Sequence, residues 1–165
     1  MGNHDNLQGL EMPKYNFKED FPIARNTEKE IASMLRKKYG AIILEDSNND
    51  NRYDIRAVIQ GREITIEVKE DFTCKKTGNV GLEYSCRGKF SGISVSQADY
   101  YIYKLHTRSS GIQYFLHRTS TLKQLIESKL YFREVNGGDK GSNSLNYLFK
   151  YELFIQHGSL LPLTR

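Results

Sequence analysis

Residues 64–71 read ITIEVKED. Ile64, Ile66 and Val68 alternate with the period of a strand that buries one face. The other face carries Thr65, Glu67 and Lys69, and Glu70 and Asp71 close the run. In an ordinary half-exposed strand such groups form surface pairs, each worth about 0–1 kcal/mol. The flanking sequence raises the stakes. RYDIRAVI (52–59) alternates in the same way, and QGRE turns the chain back, so the two runs form an antiparallel hairpin. Asp54, near the start of the first strand, then falls at the same end of the sheet as Glu67, near the end of the second. Glu67 and Lys69 share a face, with the Val68 carbonyl between them.

Two carboxylates, a carbonyl oxygen and an ammonium gathered at one place suit phosphodiester hydrolysis. The oxygens hold a hard divalent cation that keeps several waters and bridges to a phosphate. The cation polarises the phosphate and acidifies water, and the lysine steadies the attacking oxygen. With oxygen ligands and no converging soft ones, the expected ion is Mg²⁺, for which Mn²⁺ substitutes. A second Glu-x-Lys, Glu127 and Lys129, serves as an internal control. It ends a surface helix, has no upstream aspartate on a paired strand, and is assigned no chemistry.

The chain has 165 residues, fits one domain and is large enough for a real core. No apolar run approaches the roughly 18 residues of a membrane span, and the N-terminus lacks the apolar core of a signal peptide. A cytoplasmic protein is the expectation. Cys74 and Cys86 have no zinc-site partners and are read as reduced. The formal charge of +4 suits a polyanion partner.

Residues 1–25 lack periodicity and are read as an arm or loosely packed lead-in, with residues 26–165 as the domain. RNTEKEIASMLRKKYG predicts a helix capped by Asn26 or Thr27, with Arg36, Lys37 and Lys38 in its last turn and Gly40 as its stop. AIILED (41–46) predicts a short buried strand and SNNDN (47–51) a turn. DFTCKKTGNVG is read as a basic loop and LEYSCRG as a further strand. KFSGISVSQADYYIYKL predicts a loop leading into a short helix, with Ser96 as cap and Asp99 as its capping partner. GIQYFLHR predicts a strand, STLKQLIESK an amphipathic helix, VNGGDKGSNS a loop, and LNYLFKYELFI one or two terminal strands. The order gives an α/β domain in which helices flank a mixed β-sheet.

Glu28, Asp54 and Glu67-Val68-Lys69 stand in the order and context of the PD-(D/E)XK nuclease superfamily, which includes restriction enzymes, Holliday-junction resolvases and phage endonucleases. TEKEIASMLRKKYG is similar to the opening helix of the resolvases. The resemblance covers about residues 26–70, and Asp54 departs from it by following Tyr53 rather than proline. It implies a restriction-endonuclease-like core in which Asp54, Glu67 and the Val68 carbonyl are metal ligands. Lys69 would be the catalytic lysine and Glu28 an auxiliary ligand or base, with Glu30 the alternative if the helix phase favours it.

TGNVGLE and SGISVSQADYYIY resemble what phage-type members carry after the lysine strand. Glu83 would then contribute to the metal site or touch DNA, the other reading being an exposed strand acid. Gln97 and Tyr101 match the Gln-x-x-x-Tyr of exonuclease-like branches. Tyr100, Tyr101 and Tyr103 are read chiefly as packing. Lys75, Lys76, Arg87 and Lys89 flank the site in two loops and suit phosphate contacts, as opposed to solvated surface charge.

Other chemistries fit poorly: the four histidines are scattered, and there is no phosphate-cradling glycine loop or nucleophile elbow. The expected function is metal-dependent cleavage of DNA, with a homodimer as one way of cutting two strands. The rival readings are a DNA-binding or assembly protein that keeps the fold without cutting, and a small regulator with a basic face.

Overall fold

The computed structural model describes residues 17–46, 52–137 and 143–162. Its elements run α1 (Phe17–Tyr39), β1 (Ile42–Asp46), β2 (Ile55–Ile59), β3 (Arg62–Asp71), α2 (Cys74–Thr77), β4 (Asn79–Cys86) and β5 (Lys89–Phe90). After a 3-10 turn at Gly92–Ser94 follow β6 (Tyr100–His106), β7 (Ile112–Arg118), α3 (Thr119–Glu127), β8 (Arg133–Gly137), β9 (Ser144–Lys150), α4 (Tyr151–Gln156) and β10 (Ser159–Leu161). The fold is the expected α/β one, a six-stranded mixed sheet flanked by helices. Strand order is β1-β2-β3-β6-β7-β10, antiparallel except for the parallel pair β3–β6. A second, antiparallel sheet, β5-β4-β9-β8, is an addition the sequence reading lacked.

The six-stranded sheet separates two apolar layers. On one side α1 lays Ile31, Ala32 and Leu35 over Ile55, Ala57, Ile66 and Ile102. On the other, Tyr101, Tyr103, Leu105 and Phe115 meet Val80, Leu82 and Phe149 of the second sheet, with Leu122 and Leu125 of α3 and Phe154 of α4. Odd-numbered residues of β6 therefore face one layer and even-numbered residues the other.

Helix α1 ends as expected. The Gly40 and Ala41 amides donate to the Arg36 and Leu35 carbonyls at 3.1 and 3.2 Å, and Gly40 adopts φ 63°. Its start differs from the sequence reading. The helix runs through Asn26 and Thr27, because Thr27 turns inward and its hydroxyl donates to Glu70 of β3 instead of capping its own helix.

Four further expectations are corrected. The short helix expected near Ser96–Leu105 is strand β6; a strand buried on both faces has a continuous apolar run that hides its alternation. Strand β1 is an edge strand, so Ile42 and Leu44 stay exposed instead of buried. The CKKT part of the basic loop is helix α2, and the chain's last apolar run splits into β9 and α4. The turn expected at 47–51 lies outside the described residues, as do residues 1–16 of the lead-in. Among the described residues no helix is long and apolar enough to cross a membrane.

Candidate active site

The β2–β3 hairpin forms in the register Ile55↔Ile66, which sets Asp54 across from Glu67. The Asp54 amide donates to the Ile66 carbonyl at 2.9 Å, and Asp54 Oδ2 accepts from the Val68 amide at 2.7 Å. Even-numbered residues of β3 face α1, so Glu67, Lys69 and Asp71 face the second sheet. Lys69 Nζ lies 3.3 Å from Glu67 Oε1, and the two side chains are 36% and 15% exposed. The polar face of ITIEVKED is therefore turned toward the second sheet, and its charges only partly reach water.

That placement sets the electrostatics. Burial, reinforced by the charges of Asp54 and Glu28 and opposed by Lys69, pushes the Glu67 carboxyl up to about 7. Burial also raises Asp54, against the Val68 amide bond and Lys69. For Lys69 burial pulls down, but Glu67, Asp54, Tyr101 and Glu83 outweigh it and hold the ammonium charged. Two carboxyls thus compete for one lysine, a deficit of positive charge that a divalent cation would fill.

The donor chemistry suits such an ion. Among the described residues, Asp54 and Glu67 each engage one carboxyl oxygen and leave the other open. Among the described residues no three His, Cys, Asp or Glu side chains form a ready-made metal cage. Mg²⁺ needs none, since it is commonly held by one or two carboxylates, waters and substrate phosphates.

The remaining expected residues divide by position. Glu28 on α1 is half-buried and its charge reaches Glu67, whereas Glu30 points to Lys104 at 2.8 Å and to Tyr114. Glu83 on β4 acts on Lys69 through its charge, and its oxygens accept from Ser144 at 2.6 Å and Ser91 at 3.1 Å. Gln97 is exposed in the loop before β6, its amide donating to the Arg52 carbonyl at 3.3 Å. Asp99 is no capping partner of Ser96; it accepts from the Thr65 amide and hydroxyl at 2.9 and 3.2 Å. Lys75 and Lys76 are exposed on α2, where the Arg108 guanidinium bonds their carbonyls at 3.0 and 2.7 Å. Arg87 and Lys89 are exposed in the β4–β5 turn. Glu127 and Lys129 sit exposed at the end of α3.

Two placements escape sequence reasoning. The parallel β3–β6 ladder sets Tyr101, fully buried, beside Glu67. Glu70 looks like part of the acidic run but faces α1, bonded to Thr27 and to His106 Nε2 at 2.8 Å. Both depend on strand partners that no local pattern reveals. A cavity of about 500 Å³ on the α1 side, lined by Leu35, Ile64, Ile102 and Leu161, holds none of the clustered site groups.

No family model matches the chain, and no curated protein matches it. Among solved structures it is similar to a bacterial homing endonuclease, at 15% identity, over 60% of this chain and 69% of that one, with a TM-score of 0.43. At that level the likeness says nothing of substrate or mechanism.

Proposed function

We propose that this protein is a divalent-metal-dependent deoxyribonuclease that hydrolyses DNA phosphodiester bonds by attack of water. The observation that carries the reading is the Asp54–Glu67 pair. Two carboxyls, both raised by burial, stand side by side where β2 begins and on β3, and a charged lysine lies 3.3 Å from one of them. The order of Glu28, Asp54 and Glu67-Val68-Lys69, which resembles that of the PD-(D/E)XK nucleases, supports it.

Asp54, Glu67 and the Val68 carbonyl would hold the ion, with Glu28 as an auxiliary ligand or base. When bound, Mg²⁺ or Mn²⁺ would polarise the scissile phosphate and acidify water. Lys69 orients the attacking oxygen and balances charge developing on the phosphate. Lys75, Lys76, Arg87 and Lys89 hold the flanking backbone through phosphate contacts, which position DNA without reading its sequence. A second copy of the chain would supply the second cut of a duplex.

Cleavage of labelled DNA with and without Mg²⁺ tests this directly. Lys69→Ala and Asp54→Asn should each lower the metal-dependent rate by about 10²-fold or more, the cost of removing one preorganised charge. Retained DNA binding with no cutting by the wild type in Mg²⁺ or Mn²⁺ would leave a non-catalytic DNA-binding protein on the same fold.

A further inference from the structure

Among the described residues, Phe90 is the most exposed large apolar side chain, at 78%. Single exposed apolar residues are common and mean little alone. The other exposed phenylalanines, however, have their rings in contact: Phe72 stacks on His106 at 4.5 Å, and Lys150 Nζ lies 4.4 Å over Phe132. Among the described residues no ring or cation covers Phe90. It sits on the two-residue strand β5, across from Ser85; Lys89 precedes it on that strand, and Arg87 lies in the turn before, both exposed.

The hairpin is seated against the candidate site. Ser91, the residue after Phe90, donates through its amide to the Tyr84 carbonyl and through its hydroxyl to Glu83, both at 3.1 Å. Glu83 is one of the charges acting on Lys69. Gly92, at φ 51°, fixes the close approach: a Cβ there would come within 2.1 Å of the Glu83 carbonyl oxygen. An exposed aromatic ring with two exposed cations within three residues of it in sequence, on a hairpin bonded to Glu83, matches nucleic acid in both its parts. Phosphates meet the cations, and a base meets the ring. In an intact duplex the base faces are already stacked, so the ring selects a base that is unpaired.

We propose that Phe90 stacks on an unpaired base of the substrate while Arg87 and Lys89 hold the adjoining phosphates, which makes DNA with single-stranded character the preferred substrate. The inference rests on the nuclease reading above and adds the substrate class to it.

The test is fluorescence anisotropy in EDTA, where no cutting occurs. Labelled single-stranded DNA, the same sequence as a duplex, and that duplex with a single-stranded flap would be compared for wild type, Phe90→Ala and Phe90→Trp. Phe90→Ala should weaken single-strand and flap binding by about five- to a hundred-fold, the effect of one lost stacked base. Duplex binding should stay unchanged, and Phe90→Trp should bind as well as wild type or better. Equal loss on duplex and single strand, or no loss on either, overturns the stacking role while leaving the nuclease reading intact. A wild type that binds none of the three DNAs overturns both.

Discussion

At the residue scale, the fold keeps one carboxyl, that of Glu67, from ionising freely. Glu67 carries a folded-state value near 7 against an ordinary 4.5, raised by burial and by its acidic neighbours. The folded protein therefore holds a proton that the unfolded chain has released. Without metal, stability should fall as the pH rises from about 4.5 to about 7 and then level off. The span of that loss is on the order of 3 kcal/mol. Glu67→Gln should remove it. Urea unfolding in EDTA should find the variant more stable than wild type at pH 8 and no more stable at pH 4. Equal stabilities at both pH values would mean that Glu67 is not strained by its surroundings. Ile64, Ile66, Glu67 and Lys69 were legible from alternation alone, because a strand's period assigns faces without any knowledge of its partners. Tyr101 as a neighbour of Glu67 was not, since that contact is made by a parallel ladder between strands distant in sequence.

At the scale of elements, α1 is fastened to the sheet by more than its apolar stripe. Thr27 is 3% exposed and donates to Glu70, which also meets His106 at 2.8 Å, while Glu30 pairs with Lys104 at 2.8 Å. This polar seam lies one residue from Glu28 on the helix and one from Lys69 on the strand, so it sets how Glu28 faces the site. Thr27→Val keeps the shape but leaves a buried Glu70 oxygen without its donor. It should cost about 1–3 kcal/mol in urea unfolding, with Thr27→Ser restoring most of it. A neutral Thr27→Val would show that the apolar stripe alone seats the helix. The end of α1 was legible because Gly40 carries its own local rule. The start was not, because Thr27 has a tertiary partner that competes with capping. For the same reason β6 read as a helix: Tyr101, Ile102, Tyr103 and Leu105 are buried on two faces at once, which erases the alternation that marks a strand.

At the scale of the molecule, the six-stranded sheet is a partition. Its α1 side is packed chiefly with aliphatic residues, and its other side is shared between the aromatic core and the charged group of Glu67 and Lys69, with Asp54 across from Glu67. The second sheet brings the charge of Glu83 to Lys69 and carries the β4–β5 turn. The α/β class and the β2–β3 hairpin were legible because both follow from segments adjacent in sequence. The second sheet was not, because its central pair joins Asn79–Glu83 to Asn146–Lys150, and no local pattern announces pairing across such a distance. The central claim is that this arrangement holds a divalent cation between Asp54 and Glu67. Calorimetric titration of Mn²⁺ near pH 6, run in two buffers of different ionisation enthalpy, tests it most directly. One site per chain is expected, with proton release as the Glu67 carboxyl is forced to ionise. Both the site and the released proton should be lost in Glu67→Gln, and binding should weaken strongly in Asp54→Asn. Absence of binding, or binding that Glu67→Gln leaves unchanged, would contradict the account.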